Sequence, residues 1–310
     1  MIKDKIPLKQ YIQSLGFELV GFAKSRVLEK EGDQLEQWLN NNYHGEMTYM
    51  ERYFDLRIDP SKLFPGTKTI IALGLNYYQE QKKESVEHPN ISMYAYGEDY
   101  HNVIRKKTNS IIQWMKSQYG DINARSFVDS GPVMERVWAN ESGIAWSAKN
   151  TLSIHPKTGS YFFLCCILTD LEFEYDHPIK DYCGTCRKCI DACPTEAFHP
   201  EGHILDASKC ISYLTIELRK EIPDEFQGKM KDWIFGCDIC QQVCPWNRFS
   251  SKTSEASFTE IDGLSQRKFE DWLNLDESDF NLLFKDSPIK RSRLEGIKRN
   301  IRFVTRRDKV

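Results

Sequence analysis

The stretch C183GTCRKCIDACP194, followed downstream by C237DICQQVCP245, determines the architecture of this chain. A 4Fe-4S cube needs four thiolates that approach from different directions, so a CxxCxxC loop supplies three and the fourth comes from elsewhere. In two-cluster modules the last cysteine of each run ligates the other cube. The spacing therefore predicts a first cluster held by Cys183, Cys186, Cys189 and Cys244, and it assigns Cys193 to the second cluster.

The second run lacks one ligand, because the position three residues before Cys237 is Ile234. Cys210, which stands alone in S208KCISYL214, is the substitute that we expect. The second cluster is then held by Cys193, Cys210, Cys237 and Cys240. Paired zinc sites and disulfide bonds are the alternatives, but zinc prefers two CxxC pairs across a longer gap and disulfides need an oxidising compartment. The pattern favours iron-sulfur clusters over both.

Two further cysteines have a different character. Cys165 and Cys166 lie in the apolar run F162FLCCIL168, far from the cluster motifs. Free cysteine is among the most buried residue types and packs as a small hydrophobic side chain. We therefore expect both to be core residues that bind nothing.

Composition indicates a globular protein with a substantial core. The chain has 310 residues, of which 40% are hydrophobic and 12% aromatic, which suits two domains. It shows no basic segment followed by an apolar leader, no twin arginine near the start and no apolar run of bilayer length. We expect a soluble cytoplasmic protein that has no membrane association and is a monomer.

Hydrophobic periodicity predicts the order of the elements. Helical spacing covers residues 8–15, 28–40, 102–119 and 132–140, and strand patterns cover 17–22, 67–78, 125–129 and 160–170. We predict an α/β (α+β) domain with a mixed sheet over residues 1–176 and a ferredoxin-like two-cluster module over 177–250. Within that module, residues 207–228 should be helical around Cys210. A helical extension with a basic tail is predicted over 251–310, including two short helices in 269–284.

The charge of the chain is unevenly distributed. The net charge is only −3, yet residues 285–310 contain ten basic and three acidic residues. Such asymmetry is typical of a surface that binds a polyanion, and a solvated terminal helix is the alternative.

The first domain must receive the electrons that the clusters carry. There is no GxGxxG motif after a strand and no P-loop, so no nucleotide fingerprint is present. A ferredoxin-type electron-transfer protein would not need the roughly 180 residues that precede the cysteine runs. That length is enough for a whole further domain.

The order of several short motifs supplies a resemblance. R57IDP60, Y96GEDYH101, V128DSGPVMER136, S142GIAWSAKN150 and G159SYFFL164 precede the two cysteine runs, and this order resembles the epoxyqueuosine reductase family over about residues 10 to 303. The resemblance implies a cobalamin-binding domain fused to two 4Fe-4S clusters. It also implies the last step of queuosine biosynthesis, in which the epoxide of epoxyqueuosine at the tRNA wobble position is reduced. A low-potential donor such as flavodoxin or ferredoxin is then expected.

The resemblance also assigns a proton donor. Asp129 matches the family's acid, which we expect to protonate the leaving oxygen and to touch cobalamin. It follows Phe127 and Val128 at a strand end, where loss of water would keep its carboxyl protonated. From the residues alone, Asp129 or Ser130 is equally suited to capping a helix that starts at Pro132.

Other positions match cofactor contacts in the family. Arg57, Lys149, Asn150 and Ser153 are expected to contact cobalamin, and Ser212 and Asp238 to face the corrin from beside the cluster ligands. Alternatives remain open. Arg57 would otherwise form a surface salt bridge, Asn150 and Ser153 would cap turns, and Ser212 and Asp238 would hydrogen-bond the cluster loops. His101 and His155 are polar candidates without a role.

The basic tail completes the prediction. Longer family members continue into a helical-repeat domain, whereas this sequence stops at Val310, so the tail is expected to carry more of the tRNA binding. The phosphate contacts that we expect are Lys290, Arg291, Arg293, Lys298, Arg299 and Arg302. A cobalamin-dependent reductive dehalogenase-like reductase is the rival function, but residues 1–10 lack the export signal usual in such respiratory enzymes.

Overall fold

The computed structural model describes residues 2–80 and 87–306, so the last four residues of the basic tail lie outside the described part. Its helices are α1 (Ile6–Ser14), α2 (Glu29–Asn40), α3 (Phe54–Ile58), α4 (Pro60–Leu63), α5 (Tyr100–Tyr119), α6 (Glu135–Glu141), α7 (Lys188–Asp191), α8 (Ile211–Ile216), α9 (Ile239–Gln242), α10 (Phe269–Asn274), α11 (Glu277–Leu283) and α12 (Arg293–Thr305). Its strands are β1 (Leu19–Lys24), β2 (Thr69–Asn76), β3 (Asn90–Ile91), β4 (Ala124–Phe127), β5 (Trp146–Ser147), β6 (Ser153–Ile154), β7 (Phe162–Thr169) and β8 (Trp233–Phe235).

The main sheet has the order β1-β2-β7-β4, with every neighbouring pair antiparallel. The α/β class is confirmed, but the prediction of a mixed sheet is wrong for this sheet. Among the described residues, the parallel pairing joins β3 to β8 in a separate two-stranded sheet. Continuous apolar runs such as β2 are typical of parallel strands, because helices cover both faces of a parallel sheet. Here helices cover both faces of an antiparallel one, which gives the same pattern.

Two apolar clusters fill the two faces of the main sheet. On one face, α1 and α5 pack against side chains such as Phe22, Leu73 and Cys165. On the other face, α6 and residues of α3 and α4 pack against Ile70 and Cys166, among others. Since successive side chains of a strand point to opposite faces, the adjacent Cys165 and Cys166 enter different cores. Both are fully buried, which confirms the prediction that they pack as core residues.

The cluster module and the C-terminal extension share one apolar core. That core combines Ile91, Ile234 and Phe235 with Trp272 of α10, Phe280 of α11 and Ile297 and Ile301 of α12. Residues from all three predicted domains therefore pack together. The C-terminal extension therefore packs as part of the cluster module.

Several local predictions are corrected. The helix expected from Pro132 begins at Glu135, after Met134 at the N-cap, so Asp129 caps no helix there. The helix expected over 207–228 is limited to α8, with short 3-10 turns at Ala207–Lys209 and Asp224–Phe226. Within the described part of the chain, no helix combines the length and apolar character that crossing a bilayer requires.

Candidate functional site

The structure brings the cluster cysteines together in two groups. The thiol of Cys189 interacts electrostatically with those of Cys183 and Cys244, and Cys244 interacts with Cys186. We call these four the first cysteine group.

The second group forms in the same way. Cys237 interacts with Cys193 and Cys210, and Cys240 interacts with Cys210 and Cys237 and, most weakly, with Cys189 of the first group. We call Cys193, Cys210, Cys237 and Cys240 the second cysteine group. These groups match the ligand sets predicted from the sequence, including the isolated Cys210, and the assignment of each cysteine to a cluster stays a prediction.

The arrangement of the thiols suits cubes better than single ions. All ten cysteines are free thiols. Among residues 2–80 and 87–306, no three His, Cys, Asp or Glu side chains converge closely enough to hold one metal ion. Zinc requires such convergence, whereas in a cube each thiolate binds its own iron. The geometry therefore favours 4Fe-4S clusters over zinc.

Short helices aim N–H groups at the thiols. The backbone N–H groups of Ser212 and Tyr213, in the first turn of α8, point at the Cys210 sulfur, and that of Ile239 in α9 points at Cys237. The indole of Trp146 points at Cys183. Hydrogen bonds to sulfur stabilise thiolates and tune the potential of a cluster. Ser212 thus acts on the second group through its backbone.

Asp129 occupies a strained corner at the end of β4. Its φ of 51° lies in the left-handed region, which is uncommon for a residue other than glycine, and its carboxylate side chain is 64% exposed. The Tyr100 hydroxyl donates to Oδ2 over 2.6 Å, and the Asp129 backbone N–H donates to Glu135 Oε1 over 3.0 Å. These contacts hold the carboxylate at the protein surface, in a position where it caps no helix.

A histidine connects Asp129 to a second carboxylate. His101 Nε2 lies 3.5 Å from Asp129 Oδ2, and His101 Nδ1 lies 2.7 Å from Asp99 Oδ1. The Asp99 side chain also accepts the His101 backbone N–H and caps α5. Because Asp99 fixes the ring, the other ring nitrogen faces Asp129.

These contacts determine where the proton resides. The contact with His101 lowers the pKa of Asp129 to about 2, against the opposing effect of partial loss of water around the carboxylate. Burial lowers the pKa of His101, but its bonds to Asp129 and Asp99 outweigh burial and raise that pKa to about 9. The expectation that Asp129 is protonated by desolvation is therefore wrong: at neutral pH the proton is on His101.

Burial has the opposite effect on the neighbouring carboxyl. Loss of water raises the pKa of Glu135 to about 7, and the negative charge of Asp129 adds to that rise. Glu135 accepts the Asp129 N–H, so it braces the corner from the start of α6. Asp99, Tyr100 and Glu135 were missed by the sequence reasoning. For Asp99 and Tyr100 the available signal was the run of four polar residues at 98–101, at the start of a helix.

Aromatic rings connect the second cysteine group to this corner. Gln241, which follows Cys240, donates to the Tyr77 hydroxyl over 3.3 Å. The Tyr77 and Phe163 ring centroids are 4.5 Å apart, and Phe163 stacks on Tyr100 at 4.2 Å and 8°. Tyr100 in turn donates to Asp129. The second group is therefore the one connected to the proton-bearing corner.

Arg57 lies near the corner with part of its donor capacity unused. Its Nη2 donates to the Tyr49 backbone carbonyl over 3.1 Å, while its Nε is buried without a hydrogen-bond partner. Burial lowers the pKa of Arg57, and the charge of Glu135 acts against that change. A buried unpaired donor is costly, so it indicates a missing acceptor.

The other predicted cofactor contacts have protein partners. Lys149 Nζ donates to the carbonyls of Gly184 and Cys186, and Asn150 Nδ2 lies 3.4 Å from the Cys240 carbonyl. Ser153 is buried in the β5–β6 hairpin. Buried Asp238 accepts hydrogen bonds from the Ser92 hydroxyl and the Met93 N–H. The side chains of Lys149, Asn150 and Asp238 thus hydrogen-bond the cluster loops, which for Asp238 is the expected alternative to a corrin contact.

His155 has a local role. Burial lowers the pKa of His155 to about 4, and its Nδ1 contacts the Thr158 hydroxyl at 3.1 Å. A neutral ring in a tight turn is structural.

The residues predicted to contact tRNA differ in their exposure and in their protein partners. Lys290, Arg293 and Arg302 are exposed, Lys298 is partly exposed, and Arg291 pairs with Glu217 at 2.8 Å. Arg299 is different, because its guanidinium donates to the carbonyls of Leu214, Leu218 and Lys220 in and after α8. An arginine engaged in this way has a structural role, so we remove Arg299 from the phosphate contacts. The charge of Arg291 helps to lower the pKa of Asp129, so Arg291 lies on the same side of the molecule as Asp129.

Family models match two parts of the chain. Residues 182–247 match the 4Fe-4S double cluster binding domain, and this range contains all eight grouped cysteines, including Cys210. Residues 57–130 match the model described as Epoxyqueuosine reductase QueG, DUF1730. This second match runs from Arg57 to Ser130 and so includes the Asp129 corner.

Whole-chain relatives are known. The epoxyqueuosine reductase of Leadbetterella byssophila is 48% identical over 297 residues, which cover 96% of this chain and 97% of the relative. That of Vibrio cholerae is 38% identical and covers 95% of this chain and 80% of the relative.

Solved structures agree with the fold. An epoxyqueuosine reductase solved with an epoxyqueuosine-modified tyrosine tRNA stem loop has a TM-score of 0.90 and 31% identity, covering 96% of this chain and 79% of that one. The Bacillus subtilis enzyme, solved with a catalytic aspartate loop swung out of the active site, has a TM-score of 0.89 and 30% identity at the same coverage.

Proposed function

The chain belongs to the epoxyqueuosine reductase family, and we propose that it reduces the epoxide of epoxyqueuosine at the tRNA wobble position to give queuosine. The observation that carries this proposal is the 48% identity to a relative over nearly the full length of both chains. The two cysteine groups and the Asp129 corner give this chain its own means of moving electrons and protons.

The reaction has defined requirements. Converting an epoxide to an alkene consumes two electrons and two protons and releases the oxygen as water. Iron-sulfur clusters pass electrons one at a time, so two clusters connected to one corner suit the electron requirement. The aromatic contacts from Gln241 to Tyr100 support delivery from the second group.

The residues beside Asp129 suit a bound cobalamin. The buried, unpaired Nε of Arg57 calls for an acceptor, and the amide-bearing rim of a corrin offers several. Among the predicted cobalamin contacts, Arg57 and Asp129 have polar groups available to a ligand. These are the unpaired Nε of Arg57 and the exposed carboxylate of Asp129. When bound, cobalamin would supply a reduced metal centre that delivers electrons to carbon, which the clusters do not do. In this proposal Lys149, Asn150, Ser153, Ser212 and Asp238 act by holding the cluster loops.

The proton comes from the Asp99–His101–Asp129 arrangement. His101 holds a proton at Nε2 facing Asp129 Oδ2, and Asp129 is the exposed member of the pair. We propose that Asp129 delivers this proton to the leaving oxygen and that His101 replaces it. Tyr100 keeps the Asp129 carboxylate oriented through its 2.6 Å hydrogen bond. General acid catalysis of this kind contributes about 10²- to 10⁴-fold to a rate.

The partners follow from the reaction. The tRNA is the substrate, with Lys290, Arg291, Arg293, Lys298 and Arg302 as the proposed phosphate contacts. A low-potential electron carrier such as flavodoxin or ferredoxin is the proposed donor. We also propose that the chain acts as a cytoplasmic monomer, where its ten free thiols stay reduced.

An anaerobic assay tests the proposal. Protein with reconstituted clusters and added cobalamin is incubated with dithionite and tRNA that contains epoxyqueuosine, and nucleosides are measured by mass spectrometry. We expect loss of one oxygen from the modified nucleoside, dependent on cobalamin. Turnover of a halogenated aromatic without turnover of the tRNA would favour the reductive dehalogenase-like alternative. Clusters that form without any cobalamin binding would favour an electron-transfer protein.

A further inference from the structure

The surface over the first cysteine group has an unusual composition. Tyr182 and Phe249 are large hydrophobic residues with 39% and 42% of their surface exposed, and they flank the group in sequence and in space. The loop between Cys186 and Cys189 is exposed at Arg187 and Lys188. We call this surface, formed by Lys180, Tyr182, Arg187, Lys188, Trp246, Arg248 and Phe249, the donor face.

Two aromatic rings of the donor face, Tyr182 and Trp246, pack on Trp146, which in turn contacts the cysteine ligands. Trp146 lies 5.2 Å from Tyr182 and 5.2 Å from Trp246, and these last two rings lie 5.6 Å apart. Trp146 is buried, and Cys183 and Cys244 pack against the small hydrophobic core that it forms with Ala148 and Ile154. The rings therefore form a firm apolar cover between the thiols and the solvent.

Positive charges surround this cover. Lys180 Nζ lies 5.2 Å from the Tyr182 ring, and the Arg248 guanidinium lies 4.3 Å from the Phe249 ring. Lys188 is exposed in the cluster loop. Of the nearby acids, Asp191 pairs with Arg187 at 3.4 Å and Asp181 accepts the Cys183 N–H. The donor face is thus basic on a chain whose net charge is −3.

The two cysteine groups differ in what they face. The second group is connected through Tyr77, Phe163 and Tyr100 to Asp129. The first group lies under the donor face and is the outer of the two groups in this series of contacts. In a chain of two clusters with one end at the catalytic corner, electrons enter at the other end.

We propose that the donor face is the docking surface for an acidic, low-potential electron-carrier protein, which reduces the first cluster. This inference rests on the proposed function only for the direction of electron flow. Aromatic and arginine side chains are enriched at the centres of protein interfaces, and complementary charge accelerates association. A negatively charged rim around the carrier's redox group would match Lys180, Lys188 and Arg248.

A cationic and aromatic surface is also typical of RNA binding, but the tRNA has to place its modified base at Asp129. The aromatic contacts reach that corner from the second cysteine group, whereas the donor face covers the first. An electron carrier needs only proximity to the first cluster, which the donor face provides.

Stopped-flow reduction of the clusters tests the inference without tRNA. Photoreduced flavodoxin and, separately, a reduced acidic ferredoxin are mixed with the reconstituted protein, and cluster absorbance is followed. The variant is Lys180→Glu, Lys188→Glu and Arg248→Glu together, and the matched control is Lys24→Glu, Lys30→Glu and Lys116→Glu, which reverses three exposed lysines of the first domain.

At low salt we expect the donor-face variant to be reduced at least about tenfold more slowly than the wild type, and the control to be reduced at nearly the wild-type rate. Reduction by dithionite should be equally fast in all three. Wild-type reduction should also slow with added salt, a test that needs no variant. Iron content and circular dichroism check that the variant is folded.

Equal rates for the variant and the control, or failure of both carriers to reduce the wild type, would overturn the inference. So would a loss of tRNA affinity in the donor-face variant with unchanged reduction, because it would make this surface an RNA site. None of these results depends on turnover. Failure of the proposed function would appear separately, as absent conversion of tRNA with dithionite.

Discussion

The two cysteine groups each consist of four thiols, but they lie in contrasting surroundings. The first group lies under an exposed aromatic and basic surface, with Tyr182 and Phe249 at its rim. The second is enclosed by α8, β8 and α12, and its Cys210 and Cys237 pack against a buried core. These surroundings, rather than the ligand motif, are the basis of our proposal that the first group receives electrons and the second delivers them.

The same contrast applies to basic residues. Lys188 beside the first group is exposed, whereas Arg299 beside the second is engaged with three backbone carbonyls around the end of α8. Asn300 is fully buried and donates to the carbonyls of Thr215 and Ile234. Because α8 presents Cys210 and its N–H donors, α12 positions a ligand of the second group.

Removal of Cys210 gives the largest expected effect and separates the two groups. Cys210→Ala should lose the second cluster only, reducing iron from about eight to about four per chain, and should abolish turnover because the relay is broken. Iron analysis and electron paramagnetic resonance measure this. Cys165→Ala, at a buried cysteine outside both groups, should keep all the iron. Loss of both clusters from a folded Cys210→Ala protein would contradict the grouping.

Asp129→Asn tests the delivery end of the relay. The amide has nearly the same shape but cannot pass on a proton, so we expect turnover to fall by about 10²- to 10⁴-fold with both clusters and cobalamin retained. Single-turnover assays and absorbance spectra measure the two properties. A rate within a few-fold of the wild type would remove Asp129 from proton transfer.

His101→Gln should have a smaller effect that depends on pH. The raised pKa of His101 means that its proton is present below pH about 9 and is lost as pH rises through that value. Wild-type turnover at saturating substrate should therefore fall above pH about 9. In the variant the rate should be lower, by roughly the lower part of the general-acid range, and this alkaline decline should be absent. An unchanged decline in His101→Gln would assign it to another group.

Asn300→Ala tests whether α12 supports the second group. It removes a buried donor from two carbonyls, so we expect the free energy of unfolding to fall by about 1–3 kcal/mol. The second cluster should be lost on heating before the first. Arg302→Ala, at an exposed position on the same helix, is the control and should change neither. Equal loss of both clusters with temperature would show that α12 does not act selectively.

The tRNA contacts give the smallest effect. Lys298→Glu with Arg302→Glu should raise the Michaelis constant for whole tRNA and flatten the dependence of log affinity on log salt by roughly 0.7 to 0.9 per lost phosphate contact. Turnover at saturating tRNA should change little, because phosphate contacts position a substrate without reading it. Filter binding over a salt series measures the slope. The Lys116→Glu variant should not alter it, and an unaltered slope in the double variant would favour a solvated helix.

Much of the site was predictable because its residues are close in sequence. The spacing of the cysteine runs limits which thiols share a cube, and even Cys210 follows from the one missing ligand. The fold class followed from periodicity, since the helices and strands of the first domain have strong patterns. The orientation of the strands did not follow, because burial on both faces produces the same apolar run in parallel and antiparallel sheets.

The protonation of the corner was not predictable. Asp129 has apolar neighbours in sequence, which favoured a neutral carboxyl, but its neighbours in space are His101 and Tyr100, 28 and 29 residues away along the chain. Electrostatic interactions depend on distances of a few ångströms, and only the folded chain fixes those.

The sequence by itself determined the α/β class and the family and predicted the cluster ligands, because these depend on residue types at short, fixed spacings. The tertiary structure decided which basic residues are free to contact a partner, which cysteine group faces the catalytic corner and where the proton resides. Arg299 and Lys188 are both basic residues in basic segments, yet one is engaged by α8 and the other is exposed. That difference arises from packing between segments about 80 residues apart or more, which no local pattern encodes.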